Sequence, residues 1–357
     1  HPALDANCFS VVWTGSVVMP RTMDGCIGLS TQDSMRLYVD DKLLIDGWGK
    51  DKSADQALDF HFEAGRTYKI RIEFVNDRRG ARVIFGYSAG RENFPAAVEA
   101  ARKADVAILC MGDNEETSGE NFDRTDLNLP GRQLELVQAV YATGTPVVLV
   151  LQSGRPVTAN WENDHLPAIL EAWFPGEQGG TAIAKTLFGD AAPGGRLPIT
   201  FPRSVGQIPC HYSRRPGGGK RYVEMDWLPL YPFGYGLTYT TFAYRDMALS
   251  RSVIDPQDTV TVSVTVTNTG KYTGDAVPQL YVRDMFSSVV KPERQLAAFR
   301  RLTLAPGESR RVELTVGPKQ LRTLGPDYVW RVEPGKFELQ LGDNAENILL
   351  RADLTVE

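Results

Sequence analysis

The chain has 357 residues, 42% hydrophobic and 23% charged, with a net charge of −5, the make-up of a globular protein long enough for two or three domains. No Lys/Arg run exceeds two residues, so nucleic acid, which needs clustered positive charge, is not an expected partner. The longest apolar stretch, Val147–Leu151 with its flanks, is far too short to span a bilayer. Four cysteines (Cys8, Cys26, Cys110, Cys210) show no C-x-x-C pairing, and four histidines (His1, His61, His165, His211) are scattered, so neither a metal site nor a cofactor is expected. Whether Cys8 and Cys26 are bridged stays open, as does the compartment. The chain opens His-Pro-Ala rather than with Met, which suggests a removed segment or one piece of something longer.

Residues 1–90 read as antiparallel β. Short alternating runs at Phe9–Trp13, Ile27–Ser30, Arg36–Val39, Lys42–Ile45, Tyr68–Val75 and Ala81–Tyr87 predict strands, with tight turns at Asp40-Asp41 and Glu63–Gly65. Strands this short and evenly spaced predict a sandwich or barrel.

Residues 91–212 switch to alternating helix and strand. Phe94–Lys103 is an Ala-rich amphipathic helix, and Val106–Cys110 reads as a buried strand with Cys110 as a small buried hydrophobe. Arg132–Ala142 reads as a helix stopped by Gly144, and Pro146–Leu151 as a strand buried on both faces. Ala168–Trp173 is a further strand, and Gly180–Phe188 a helix closing on Gly189. The alternation predicts a doubly wound layer with a mostly parallel sheet. Between the first strand and its helix lies MGDNEETSGENFDRTDLNLPG (Met111–Gly131), with Asp113, Glu115, Glu116, Glu120 and Asp123. A loop at the carboxyl end of such a strand is where α/β folds place ligands and chemistry. A solvated acidic turn is the plainer account of the same residues.

Residues 213–241 read as a linker with a loop at Pro216–Gly219, its aromatics gluing two domains together. Residues 242–357 return to strands at Thr259–Thr267, Ala276–Val282, Arg310–Val316, Lys336–Leu341 and Leu349–Val356, with turns at Asn268–Gly270, Ala305–Gly307 and Glu333–Gly335. That spacing suits an immunoglobulin-like sandwich.

Several stretches carry a resemblance. FSVVWTGSV, GLSTQDSMRLYVDDKLLIDGW and FEAGRTYKIRIEFVND are similar to the protective-antigen-like (PA-fourteen) module. That module's strands ahead of Phe9 are missing, so the chain reads as beginning inside a domain. SGENFDRTDLNLPG resembles the acid/base loop of glycoside hydrolase family 3. WFPGEQGGTAIAKTLFGDAAPGGRLPITFP resembles that family's (α/β) sandwich domain, PFGYGLTY its linker, and RQLAAFRRLTLAPGES its fibronectin-type-III-like domain.

The resemblance implies a retaining, exo-acting β-glycosidase without a cofactor. Glu120 is its general acid/base, with Glu116 and Glu115 as rivals; Asp123 and Arg124, adjacent three and four residues on, read for themselves as an ion pair shaping the loop. Hydrolysis of this kind uses two carboxyl groups about 5–5.5 Å apart. A Glu on a loop can swing toward the leaving group, and partial burial would raise its pKa. The family's nucleophile is an Asp in an N-terminal TIM-type barrel of roughly 250 residues. Nothing here reads as that barrel, and Met225-Asp226-Trp227 lies in the linker rather than after an apolar strand. The expectation is therefore the C-terminal part of a hydrolase whose partner is the barrel polypeptide. Its substrate would be a β-glucoside or β-linked oligosaccharide, with β-xyloside next. A non-catalytic carbohydrate-binding or adhesion protein is the alternative. With its α/β face uncovered, the isolated chain is expected to be sticky or to form homo-oligomers.

Overall fold

A computed structural model of the chain describes residues 8–31, 33–49, 54–76, 82–89, 94–217 and 222–357. It divides into two compact units, one running to Ala97 and the other Val98–Glu357.

The first unit holds β1 (Phe9–Val18), β2 (Met23–Thr31), β3 (Ser34–Val39), β4 (Lys42–Asp46), β5 (Ala54–Phe62), β6 (Thr67–Asn76) and β7 (Val83–Ala89). They make two antiparallel sheets in the orders β1-β6-β3-β4 and β5-β2-β7. The period-two pattern does the sorting. Met35, Leu37 and Val39 of β3 and Tyr68, Ile70 and Ile72 of β6 turn inward, meeting Ile27 and Leu29 of β2 and Phe62 of β5 in one cluster. Asp40 and Asp41 both take positive φ, 46° and 63°, as a two-residue hairpin turn of the type I′ kind requires. The sequence pattern missed β5, because ADQALDFHF has too few apolar residues to alternate along its whole length.

α1 (Pro95–Arg102) leads into β8 (Ala107–Gly112), α2 (Gln133–Tyr141), β9 (Val147–Gln152), α3 (Asn160–His165), β10 (Ala168–Glu171) and α4 (Gly179–Leu187). The sheet is parallel, in the order β10-β9-β8. β9 lies in the middle with Val147, Leu149, Val150 and Leu151 fully buried, as its unbroken apolar run predicts. β8 departs from expectation. It is an edge strand in which Ile108 is 44% exposed and Cys110 is exposed, so Cys110 is not the buried hydrophobe its apolar neighbours suggested. The reason is topological, since alternate side chains of this edge strand have no covering layer among the described residues. All four cysteines, Cys8 and Cys26 included, are free thiols.

Beyond residue 241 a three-stranded sheet packs on a five-stranded one. The first runs Phe242–Leu249, Val260–Asn268, Ser309–Val316, and the second Val253–Ile254, Ile348–Val356, Gly335–Gly342, Gln279–Asp284, Gln295–Phe299. Val260, Val262, Val264 and Val266 supply four successive inward positions of one strand. The stretch around Pro232–Tyr239 forms no helix or named strand, yet it is firmly seated. Phe233 stacks on Tyr212 at 4.2 Å and Tyr235 on Tyr231 at 5.2 Å. Gly234 donates to the Leu197 carbonyl at 2.8 Å, and its own carbonyl accepts from the Gln279 amide at 3.0 Å. The segment thus fastens the α/β layer to the sandwich. Gly218 and Gly219 of the expected loop lie outside the described residues.

Candidate active site

Three connections leave the carboxyl end of the parallel sheet, one each after β8, β9 and β10. Their roots are level, since Gly112 pairs with Gln152 and Glu171 with Leu151. This is the edge at which open α/β sheets hold ligands.

The first connection is the acidic loop. It begins at Gly112, whose φ of +138° no other residue adopts readily and whose backbone lies hard against Gln152. The side-chain amide of Gln133, at the start of α2, accepts from the Gly112 N–H at 2.7 Å and donates to the Gly112 carbonyl at 2.8 Å. Asp113 follows, with its side chain only 3% exposed. It accepts from Thr117 Oγ1 at 3.0 Å and from Arg124 Nη1 at 3.3 Å, and Arg155 Nε lies 3.8 Å away. Asn114 closes the next turn, its Oδ1 accepting from the Glu116 and Thr117 N–H groups at 3.0 and 3.1 Å, a local bond for which Asn is well suited.

Glu120 sits at the tip of a further turn, in which the Phe122 N–H donates to the Gly119 carbonyl at 3.2 Å. Asn121 takes the left-handed φ of +66°, which Asn tolerates at this turn position. The Glu120 side chain is exposed and bonds to no group among the described residues. The burial expected of it is not supplied by the described residues. Glu115 and Glu116 are exposed on the preceding turn. The Asp123–Arg124 pair expected from their adjacency does not form. Asp123 is exposed, while Arg124 turns inward to Asp113 and donates to the Asn128 carbonyl at 3.0 Å, because a buried carboxylate offers it a less hydrated partner. Asp226, set aside as a nucleophile, is exposed and accepts from the Leu228 N–H at 3.0 Å, a turn-capping bond.

Sequence reasoning missed two groups at this edge. Arg155, in the Ser153–Pro156 turn after β9, reaches into the acidic loop. Glu171 ends β10, its Oε1 accepting from the Trp173 N–H at 3.0 Å and its Oε2 buried. The available signal was position, since a polar residue that closes an apolar parallel strand lies at the ligand-bearing edge. Burial pushes the Glu171 carboxyl up to about 7. A raised carboxyl holds its proton more tightly folded than unfolded, so this contribution to stability is complete below the ordinary Glu range and is lost as pH climbs through about 7. Relative to Glu171→Gln, the wild type should lose about 2.5 kcal/mol between roughly pH 5 and 8, read by urea denaturation at both values. A difference that stays flat across that window would contradict the burial account.

Residues 15–239 match the glycosyl hydrolase family 3 C-terminal domain, and residues 276–345 match the fibronectin type III-like domain. The chain belongs to glycosyl hydrolase family 3. It is 45% identical over 302 residues to a protein named β-xylosidase from Formosa agariphila, covering 81% of this chain and 42% of that one. It is 42% identical over 263 residues to the periplasmic β-glucosidase of Salmonella typhimurium, covering 71% of this chain and 34% of that one. A crystal structure of a β-glucosidase from Kluyveromyces marxianus in complex with glucose superposes with a TM-score of 0.73 at 28% identity, covering all of this chain and 46% of that one. The chain thus spans less than half the length of each of these relatives. No helix among the described residues is long and apolar enough to cross a membrane.

Proposed function

We propose that this chain supplies the general acid/base, Glu120, of a retaining exo-acting β-glycosidase. Its nucleophilic Asp would come from a barrel domain outside this chain. The observation that carries the proposal is the acidic loop, held at its root by Gln133 and Asp113 and presenting at its tip an exposed carboxylate with no partner among the described residues. Such a group is placed to meet a sugar brought from outside the chain.

In the first half-reaction Glu120 would give its proton to the glycosidic oxygen as that oxygen leaves the anomeric carbon and the barrel's Asp bonds to it from the other face. In the second, the Glu120 carboxylate would take a proton from water as the water displaces the Asp, restoring both groups. Docking of the barrel would also supply the burial that the described residues do not give Glu120. β-Glucosides are the proposed substrates, with β-xylosides as the alternative. The names of the relatives from Salmonella typhimurium and Formosa agariphila point to these two sugars. Within the chain we divide the parts as 1–90, a protective-antigen-like module, 91–212, the α/β domain bearing the loop, 213–241, a linker, and 242–357, the fibronectin-like domain. The two antiparallel sheets of the first unit support the first assignment.

The test is denaturing mass spectrometry on natively purified protein, with nitrophenyl β-glucoside and β-xyloside assays on the same sample. A barrel-sized partner, separate or continuous with this chain, accompanying activity is the expected result. This chain alone, binding oligosaccharide and cleaving nothing, would overturn it in favour of a carbohydrate-binding or adhesion protein.

A further inference from the structure

The geometry points to Arg155 as the residue that positions Glu120, an inference that rests on the acid/base reading above and extends it. Arg155 does not belong to the acidic loop. It stands in the turn after β9, and its guanidinium crosses to the loop at both sides of the acid. On the near side its Nη2 donates to the Thr117 carbonyl at 3.5 Å and to Ser118 Oγ at 3.3 Å. On the far side Nη1 and Nη2 donate to the Phe122 carbonyl at 3.3 and 3.4 Å. These acceptors bracket Glu120. They hold its backbone turn while leaving its carboxylate exposed and without a bond among the described residues.

Two features show that the approach is built rather than incidental. Asp113, the buried carboxylate at the loop root, lies 3.8 Å from Arg155 Nε and balances the charge at the third corner of the fork. The preceding residue is Gly154, where a Cβ would lie 3.0 Å from Ser118 Oγ and 2.8 Å from the Phe174 ring. A side chain there would have to push the Phe174 ring and the Ser118 hydroxyl aside, so glycine eases the close approach of the two loops. The role also demands arginine. Its planar fork carries five donors, so Nη1 and Nη2 hold Thr117, Ser118 and Phe122 while Nε still faces Asp113, whereas a lysine ammonium has one nitrogen and three donors for all four.

A misplaced acid costs most where the leaving group needs its proton. In the complete enzyme, barrel included, Arg155→Ala should lower kcat/KM for methyl β-glucoside about 100-fold and leave 2,4-dinitrophenyl β-glucoside, whose phenolate departs unaided, within a few-fold of wild type. Combined with Glu120→Gln it should add little, since both remove the same proton transfer. Guanidinium ion should restore part of the alkyl-glucoside rate to Arg155→Ala. Arg155→Lys, which keeps the charge beside Asp113, should show the same selective loss, and it serves if the alanine variant fails to fold. A loss equal for both leaving groups, or additive with Glu120→Gln while Glu120→Gln alone is selective, would overturn the positioning role and leave the acid assignment standing. A Glu120→Gln variant that is itself unselective would remove the acid assignment, and this inference with it.

Discussion

Glu120→Gln in the complete enzyme should cut kcat/KM for an alkyl β-glucoside by about 100- to 10,000-fold, the range that a general acid contributes. For 2,4-dinitrophenyl β-glucoside, kcat/KM should stay within about tenfold, because it reports the first bond cleavage and that leaving group needs no proton. The same variant should show a depressed kcat even on the activated substrate, since the glycosyl intermediate then waits for a water that no base assists. Glu115→Gln and Glu116→Gln should stay close to wild type on both substrates. These carboxylates lie exposed on the Asn114 turn rather than at the tip bracketed by Arg155. Near-wild-type hydrolysis of the alkyl glucoside by Glu120→Gln would end the assignment.

The second large effect is on the fold. At Gly112 a Cβ would lie 2.0 Å from the Gln152 carbonyl oxygen, 2.6 Å from its carbon and 3.0 Å from its nitrogen. All three are backbone atoms of the central strand, so none can rotate away. The φ of +138° adds strain for any L side chain, and a shift of Gly112 would break both bonds to the Gln133 amide. Gly112→Ala should therefore cost about 3 kcal/mol or more, lowering the melting temperature of the α/β layer by roughly 10 °C. Gly131→Ala is the control. Gly131 also has positive φ, at 60°, but nothing lies within 4 Å of its Cβ position, so about 1–2 kcal/mol is expected there. Scanning calorimetry of the two variants separates steric clash from backbone strain. Equal shifts would show that the close approach to β9 carries no cost.

Much of the architecture was legible because its signals are local. β3 and β6 alternate strictly, β9 is an unbroken apolar run at the sheet centre, and Asp40-Asp41 has the composition of a hairpin turn. The extent of the acidic loop was legible too, between an apolar strand and an amphipathic helix. What holds that loop was not. Asp113 is one of six acids in the loop, and only contact with Arg155, 42 residues later, together with Arg124 sets it apart as the buried one. Adjacency misled at Asp123 and Arg124, since neighbouring side chains in a turn point to different sides. Cys110 misled for a related reason, because an apolar run does not reveal whether its strand is central or at the edge. Glu171 stands next to an apolar run with nothing in its neighbours to mark its burial.

The most direct test of the central claim is the product that Glu120→Ala forms from 2,4-dinitrophenyl β-glucoside in azide, with the barrel present. Removing the acid/base opens the face from which water normally attacks the glycosyl intermediate, and azide entering there keeps the original configuration. Restored turnover with β-glucosyl azide as product is the expected result. The α-anomer would mark the missing carboxylate as the nucleophile, and turnover indifferent to azide would show that Glu120 takes no part in the reaction.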